Sequence, residues 1–197
     1  KNNIPIKETE SREPINPYGQ TKLDDEYLVK KYSKMGVKII GLRYFNIFGK
    51  RQDPNGAYAA VIPKWVSAII NKNNVYINGD GETSRDFCYI DNTVQMNLLA
   101  ATTSNKDAVD QVYNVALNDR TTLNKLHQMI QEKIIQRTHG LDMKEPIYRN
   151  FRAGDVMHSQ ANIDKAQALL DYQPRYRISQ GIDEAIVWYI NNLRELS

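Results

Sequence analysis

Hydrophobic positions along the chain fall into two alternating patterns. Short runs rich in Val, Ile and aromatic residues, at 38–44, 75–78, 112–116 and 146–151, predict strands. Longer stretches with apolar residues three and four apart, at 18–35, 61–71, 92–101, 123–135, 163–170 and 182–193, predict helices. Start signals accompany most of these: Asn16-Pro17 before the first, Asp91 before the third, Thr121 or Thr122 before the fourth and Asn162 before the fifth. The alternation gives an α/β fold with a large helical share. No internal repeat or Gly/Ser linker interrupts it, and Gly140 with its polar neighbours reads as an ordinary surface loop.

Composition removes several function classes. A chain of 197 residues, 41% hydrophobic, can bury a core without disulfides or metal. Its 26 Lys+Arg against 23 Asp+Glu leave a formal charge of +3, too small to bind nucleic acid or a membrane surface by charge alone. No apolar run approaches the roughly 18 residues of a spanning helix. The first seventeen residues lack a signal-peptide core, and Cys88 has no partner for an intramolecular disulfide, so a cytoplasmic setting is expected. His127, His139 and His158 show no ligand spacing, and no metal is expected. The first residue is Lys1 rather than Met, as in a chain cut from something longer.

Candidate chemistry begins with Tyr18 and Lys22, which share one face of the first helix. A phenol serving as base near neutrality must fall from about 10 to about 7, a shift of roughly 4 kcal/mol. An ammonium about 5 Å away at an effective dielectric near 20 supplies on the order of 3 kcal/mol. A second positive charge, such as an oxidised nicotinamide ring, would supply the remainder, so the pair asks for a cationic cofactor. Tyr27 and Lys31 repeat the spacing on the opposite side of the helix, where Leu23, Leu28 and Tyr32 suggest packing.

Other signals are weaker singly. Asn55-Gly56 before the helix at 61 could offer free amides to a phosphate, or be a plain turn. Arg43, Arg51, Arg85, Arg149 and Arg152 sit at or near predicted strand ends, where ligands of open α/β sheets collect, although each alone reads as a solvated arginine. The run Gly79-Asp80-Gly81-Glu82-Thr83-Ser84 imitates a dinucleotide fingerprint. It is followed by another strand-like run at 85–90 and not by a helix, so it reads as a turn between two strands.

Taken together, these residues resemble the extended short-chain dehydrogenases/reductases that act on nucleotide sugars. Tyr18-Gly19-Gln20-Thr21-Lys22 is similar to their Tyr-x-x-x-Lys signature, and Leu42-Arg43-Tyr44-Phe45-Asn46-Ile47-Phe48-Gly49 to the strand and loop that follow. The segments Asn55 through Pro63, Gly79-Asp80-Gly81 through Phe87, and Phe151-Arg152 through Gln160 are similar to the bacterial UDP-N-acetylglucosamine 4-epimerases among them. The resemblance runs nearly end to end.

It implies the C-terminal part of a Rossmann-like doubly wound domain (about 14–50 and parts of 85–120) interleaved with a smaller mixed α/β substrate domain (about 51–84 and 121–197). The Gly-rich NAD fingerprint and the strand carrying a catalytic Ser or Thr would precede Lys1. The resemblance further implies NAD as cofactor and a UDP-sugar as substrate. Tyr18 would be the acid/base, Lys22 would hold the nicotinamide ribose, and Tyr44 would lie near the nicotinamide. Asn46 would approach the sugar and diphosphate, the backbone at Ala60 and Val61 the nucleotide, and Tyr76 to Asn78 the uridine. Arg85 and Arg152 would bind the diphosphate, Asp155 the ribose hydroxyls, and Gln52 and Ser159 the N-acetyl group. Relatives of this kind pair through the Tyr18 helix, so a homodimer is expected. A uronic-acid epimerase, a nucleotide-sugar dehydratase and a non-catalytic sugar-nucleotide-binding module are the alternatives.

Overall fold

The computed structural model describes residues 4–10, 13–14, 17–56, 59–152 and 154–193. Lys1, the cap expected at Asn16, and Ala57, Tyr58 and Ala153 within the quoted motifs lie outside the described residues.

The chain opens with helix α1 (Pro17–Ser33), followed by strands β1 (Ile40–Tyr44) and β2 (Asn46–Phe48), helix α2 (Val61–Ile70) and strands β3 (Tyr76–Asn78), β4 (Ser84–Arg85) and β5 (Phe87–Tyr89). Helix α3 (Ile90–Thr102), strands β6 (Gln111–Val115) and β7 (Thr121–Thr122), helix α4 (Leu123–Ile135), strand β8 (Ile147–Arg149) and helices α5 (Asp164–Leu170) and α6 (Ile178–Leu193) complete it. Among the described residues, four strand pairs form. Three are parallel: β1 with β6, β2 with β5, and β3 with β8. The fourth, β4 with β7, is antiparallel.

The parallel pairing follows from the sequence, because helices separate most of the strands and a parallel partner needs a long crossover. At Phe45 the chain changes partner. The Phe45 amide still donates to the Val115 carbonyl at 3.1 Å, whereas the Asn46 amide donates to the Asp86 carbonyl at 3.3 Å.

Two clusters of buried side chains result. One joins Phe48, Ile62, Trp65, Val66, Ile77, Phe87 and Tyr89 to Leu126, Ile130 and Ile134 of α4 and Ile182, Ile186 and Tyr189 of α6. The other gathers Met96, Tyr113, Val115, Ala161, Ile163, Leu170 and Tyr172 around β6. Gly181 lets α6 approach β5, because a Cβ there would stand 2.7 Å from the Tyr89 Cβ and 2.9 Å from the Phe48 ring.

Some expectations change. Asp91 does not cap α3: the helix starts at Ile90, with Asp91 inside the first turn and no side-chain cap. Thr122 caps α4, accepting the Lys125 amide at 3.3 Å, and Asn162 accepts the Asp164 amide at 3.0 Å. The turn at 79–83 does link two strands in sequence, but they are not partners, since β3 pairs with β8 and β4 with β7. Tyr27 is 56% exposed and not packed, because α1 has no buried residue among those described. Gly19, Leu23, Glu26, Val29 and Ser33 are half-buried along its inner stripe. Among the described residues no helix is long and apolar enough to cross a membrane, and no cluster of His, Cys, Asp or Glu could hold a metal ion.

Candidate functional site

A cleft of about 450 Å³ opens between the N-terminus of α2, β3 and the segment that follows β8. Asn46, Ala60, Val61, Tyr76, Asn78, Arg85, Arg152 and Asp155 all line it. Residues separated by more than a hundred positions thus converge. Gln52 and Ser159 do not line it: Gln52 Nε2 donates to the Ile47 carbonyl at 3.5 Å, and the Ser159 amide donates to the Ser84 carbonyl at 3.0 Å. Lys64, Trp65 and Leu123 also line the wall and were not singled out from sequence. Lys64 was accessible to such reasoning, because a cation in the first turn of α2 sits at the same cleft mouth as Val61.

Each side of the cleft has a local cause. The first turn of α2 has no side-chain cap, so its amides and positive dipole end face the cavity at Ala60 and Val61. Period-two alternation on β3 buries Ile77 and leaves Tyr76 and Asn78 exposed. The Arg149 guanidinium lies 3.4 Å from the Tyr76 ring centroid, fixing that ring from the neighbouring strand.

Arg85 is held firmly, its side chain only 15% exposed. It donates to Asp155 Oδ1 at 2.8 Å and to the carbonyls of Ser84 at 3.0 Å and Met157 at 3.3 Å. Asp155 is therefore the counter-ion of Arg85 in this structure. The segment 157–159 is fastened to β4: the Ser84 amide donates to the Met157 carbonyl at 2.9 Å, and Ser84 Oγ and His158 Nδ1 are 2.9 Å apart.

Tyr18, Lys22 and Tyr44 lie elsewhere. Tyr18 is 72% exposed, and the Lys22 ammonium stands 5.7 Å from its ring centroid. Lys22 donates to Asp25 at 2.9 Å, a partner the sequence reading lacked, and this bond raises its pKa above the usual lysine range. Tyr44 donates to Asn97 Oδ1 at 2.9 Å. The other strand-end arginines are not cleft residues. Arg43 forks onto Glu26 of α1 at 2.9 and 3.1 Å, Arg51 is exposed with φ +67°, and Arg149 stacks on Tyr76.

The described residues fit a dinucleotide only at one end. A pyrophosphate cradle needs open glycines, but a Cβ at Gly81 would fall 1.9 Å from Asn124 Oδ1, whose amide fills that turn by donating to Asp80 O and Glu82 Oε1. What remains for such a cofactor is the exposed phenol and ammonium of α1 and the Tyr44 ring.

The missed residue of most consequence is Asp86. It is fully buried, and its carboxylate accepts the amides of Leu117 at 2.9 Å and Ala161 at 3.1 Å. Burial pushes its pKa up to about 6. The available signal was a charge inside a strand-like run, followed directly by Phe87 and Cys88.

A UDP-glucose 4-epimerase from Thermotoga maritima, solved with UDP-glucose, is 34% identical and superposes with a TM-score of 0.87 over 96% of this chain and 58% of its own. A UDP-N-acetylglucosamine 4-epimerase from Methanobrevibacter ruminantium, solved with UDP-N-acetylmuramic acid, is 36% identical, with a TM-score of 0.85 over 96% and 58%. A UDP-glucuronic acid 4-epimerase from Bacillus cereus, solved with UDP-glucuronic acid and NAD, is 27% identical, with a TM-score of 0.80 over 98% and 57%. The chain therefore spans less than three-fifths of each relative, and its Rossmann-like α/β fold is the corresponding part of theirs. Residues 1–116 match the model of the NAD dependent epimerase/dehydratase family, and the chain belongs to that family.

Proposed function

We propose that this chain is the nucleotide-sugar-binding and acid/base part of an NAD-dependent UDP-sugar 4-epimerase, acting on a UDP-N-acetylhexosamine. The observation that carries the reading is the convergence of Arg85, Arg152, the α2 N-terminus and the exposed edge of β3 on one cleft. Two guanidinium groups and a helix N-terminus suit a diphosphate, while Tyr76 and Asn78 offer a ring face and an amide to a base. Elements at 14–50 and in parts of 85–120 would belong to the Rossmann domain, and 51–84 with 121–197 to the substrate domain. The partner surface would be the exposed face of α1, in a homodimer.

In this mechanism Tyr18 takes the proton of the sugar 4-hydroxyl and returns it after the hexose has turned about its diphosphate. NAD, when bound, would supply the hydride acceptor and donor for C4, with Lys22 at its ribose and Tyr44 near its nicotinamide. Lys22, kept protonated by Asp25, has three donors, so it can hold that carboxylate and still orient the phenol and the cofactor ribose. Arg85 and Arg152 keep the 4-keto sugar tethered, concentrating binding energy on UDP. Asp155 must exchange its bond to Arg85 for the ribose hydroxyls as the diphosphate arrives.

The N-acetylhexosamine assignment is supported by the 36% identity to the Methanobrevibacter relative. The relative that binds a uronic acid supports a UDP-uronic acid as the second reading. Calorimetric titration of the chain with UDP-glucose, UDP-N-acetylglucosamine and UDP-glucuronate, followed by turnover assays of the full-length polypeptide with NAD, separates the two. The expected result is binding of all three through UDP, with interconversion of the acetylated pair. Binding without any 4-epimerisation would overturn the proposal.

A further inference from the structure

Asp86 lies between two residues that line the cleft, Arg85 and Phe87, yet its own carboxylate points away from solvent. One oxygen accepts the Leu117 amide, the other accepts the Ala161 amide, and its backbone carbonyl accepts the Asn46 amide. Three distant segments therefore meet at one residue, and each carries or adjoins part of the cleft. Asn46 lines it directly. Leu117 leads into β7, whose Thr121 and Thr122 pair with Arg85 and Ser84. Ala161 ends the segment that holds Asp155, the ion-pair partner of Arg85.

An ionised carboxylate is acceptor-only and can satisfy two amides at once, whereas a neutral carboxyl has a hydroxyl that must donate. Protonation thus removes the acceptor from either Leu117 or Ala161. We propose that ionised Asp86 is a positioning residue for the diphosphate subsite, holding Arg85 and the 155–161 segment in binding geometry, so that its ionisation and nucleotide-sugar affinity are linked. This rests on the reading of the cleft given above.

The charged and titratable groups around it are few. Asp119, from the loop before β7, favours the carboxylate through its backbone amide and opposes it more weakly through its own charge, and Arg85 is the chain neighbour of Asp86. Cys88 on β5, pushed up to about 11 by burial, and Tyr172 after α5, also raised by burial, stay neutral across the working range. With Asp86 itself near 6, both of its forms are populated close to neutrality.

Linkage makes the effect reciprocal: if the ionised form binds better, bound ligand must lower the titration midpoint of Asp86. The wild-type chain, labelled with 13C at Asp carboxyls, would be titrated by NMR with and without UDP-glucose, whose diphosphate diester has no proton to lose in this range. The expected result is a midpoint lower by about one pH unit on saturation, matching an affinity about fivefold weaker at pH 5 than at pH 7.5. Asp86→Asn should weaken UDP-glucose binding about tenfold at pH 7.5 and flatten its pH dependence. Ile134→Val, which trims the core beneath α4, should lower Tm and leave the Kd within twofold. Wild-type binding with an unmoved midpoint, or a folded Asp86→Asn with wild-type affinity, overturns this inference alone. Absence of UDP-glucose binding by the wild type at any pH overturns the nucleotide-sugar reading and this inference together.

Discussion

At the residue scale, the proposed mechanism assigns binding to the cleft and proton transfer to α1, and two substitutions test that division. Arg85→Ala removes a nearly buried guanidinium and leaves Asp155 without its counter-ion, so UDP-sugar affinity should fall by about 2–4 kcal/mol in a calorimetric titration. Unchanged affinity would take Arg85 out of the site. Tyr18→Phe in the full-length polypeptide should cut turnover by about 10² or more while the UDP Kd stays within twofold. A parallel loss of binding would mean that the phenol anchors ligand instead of moving a proton. The place of Arg85 and Arg152 at one cleft and of Tyr18 beside Lys22 was legible in the sequence, because these residues stand in spaced motifs that need no knowledge of contacts. The partners were not. Asp25 opposite Lys22, Asp155 opposite Arg85 and the three amide donors around Asp86 depend on side-chain direction and on segments brought together from 31 to 75 positions away.

Elements with strong periodicity were read closely. α4 runs over Leu123–Ile135 as its apolar spacing predicts, and the ends of α1, α2 and β1 move by no more than two residues. The short strands could not be read in the same way. β4 and β7 are two residues each, and what makes them strands is their mutual pairing, which no local pattern encodes. Asp86 likewise splits the expected run at 85–90 into β4 and β5, since its side chain turns inward to the amides and not along either ladder. The packing of α6 on β5 gives a test at this scale. Gly181→Ala would press a methyl against Tyr89 and Phe48, neighbours that are fully buried and cannot retreat. A loss of about 1–3 kcal/mol is expected in urea unfolding, with no change of helix content by circular dichroism. A neutral outcome would mean that α6 slides to accommodate the methyl.

Over the whole molecule, Asp86 also leaves a signature in stability. Its folded pKa is raised from 3.8 to about 6, so the native state takes up this proton before the unfolded chain does. The contribution is fully present below about pH 4 and disappears as pH rises through 6. Relative to Asp86→Asn, which does not titrate, the wild type should therefore gain stability as pH falls from 7 to 5. Denaturant midpoints of the two proteins measured across that range check the sign, and a constant difference would place the carboxyl at its ordinary value.

The contrast between α1 and the rest of the chain reaches furthest. A helix that submerges none of its described side chains leaves the aim of its phenol to be set from the water-facing side. Under the proposed mechanism, a second copy or another stretch of polypeptide settled there would govern the chemistry without touching the sugar. Capture of ligand and proton transfer are then separable events, and an agent that peels such a cover away would leave a protein that still holds its nucleotide sugar but no longer turns it over.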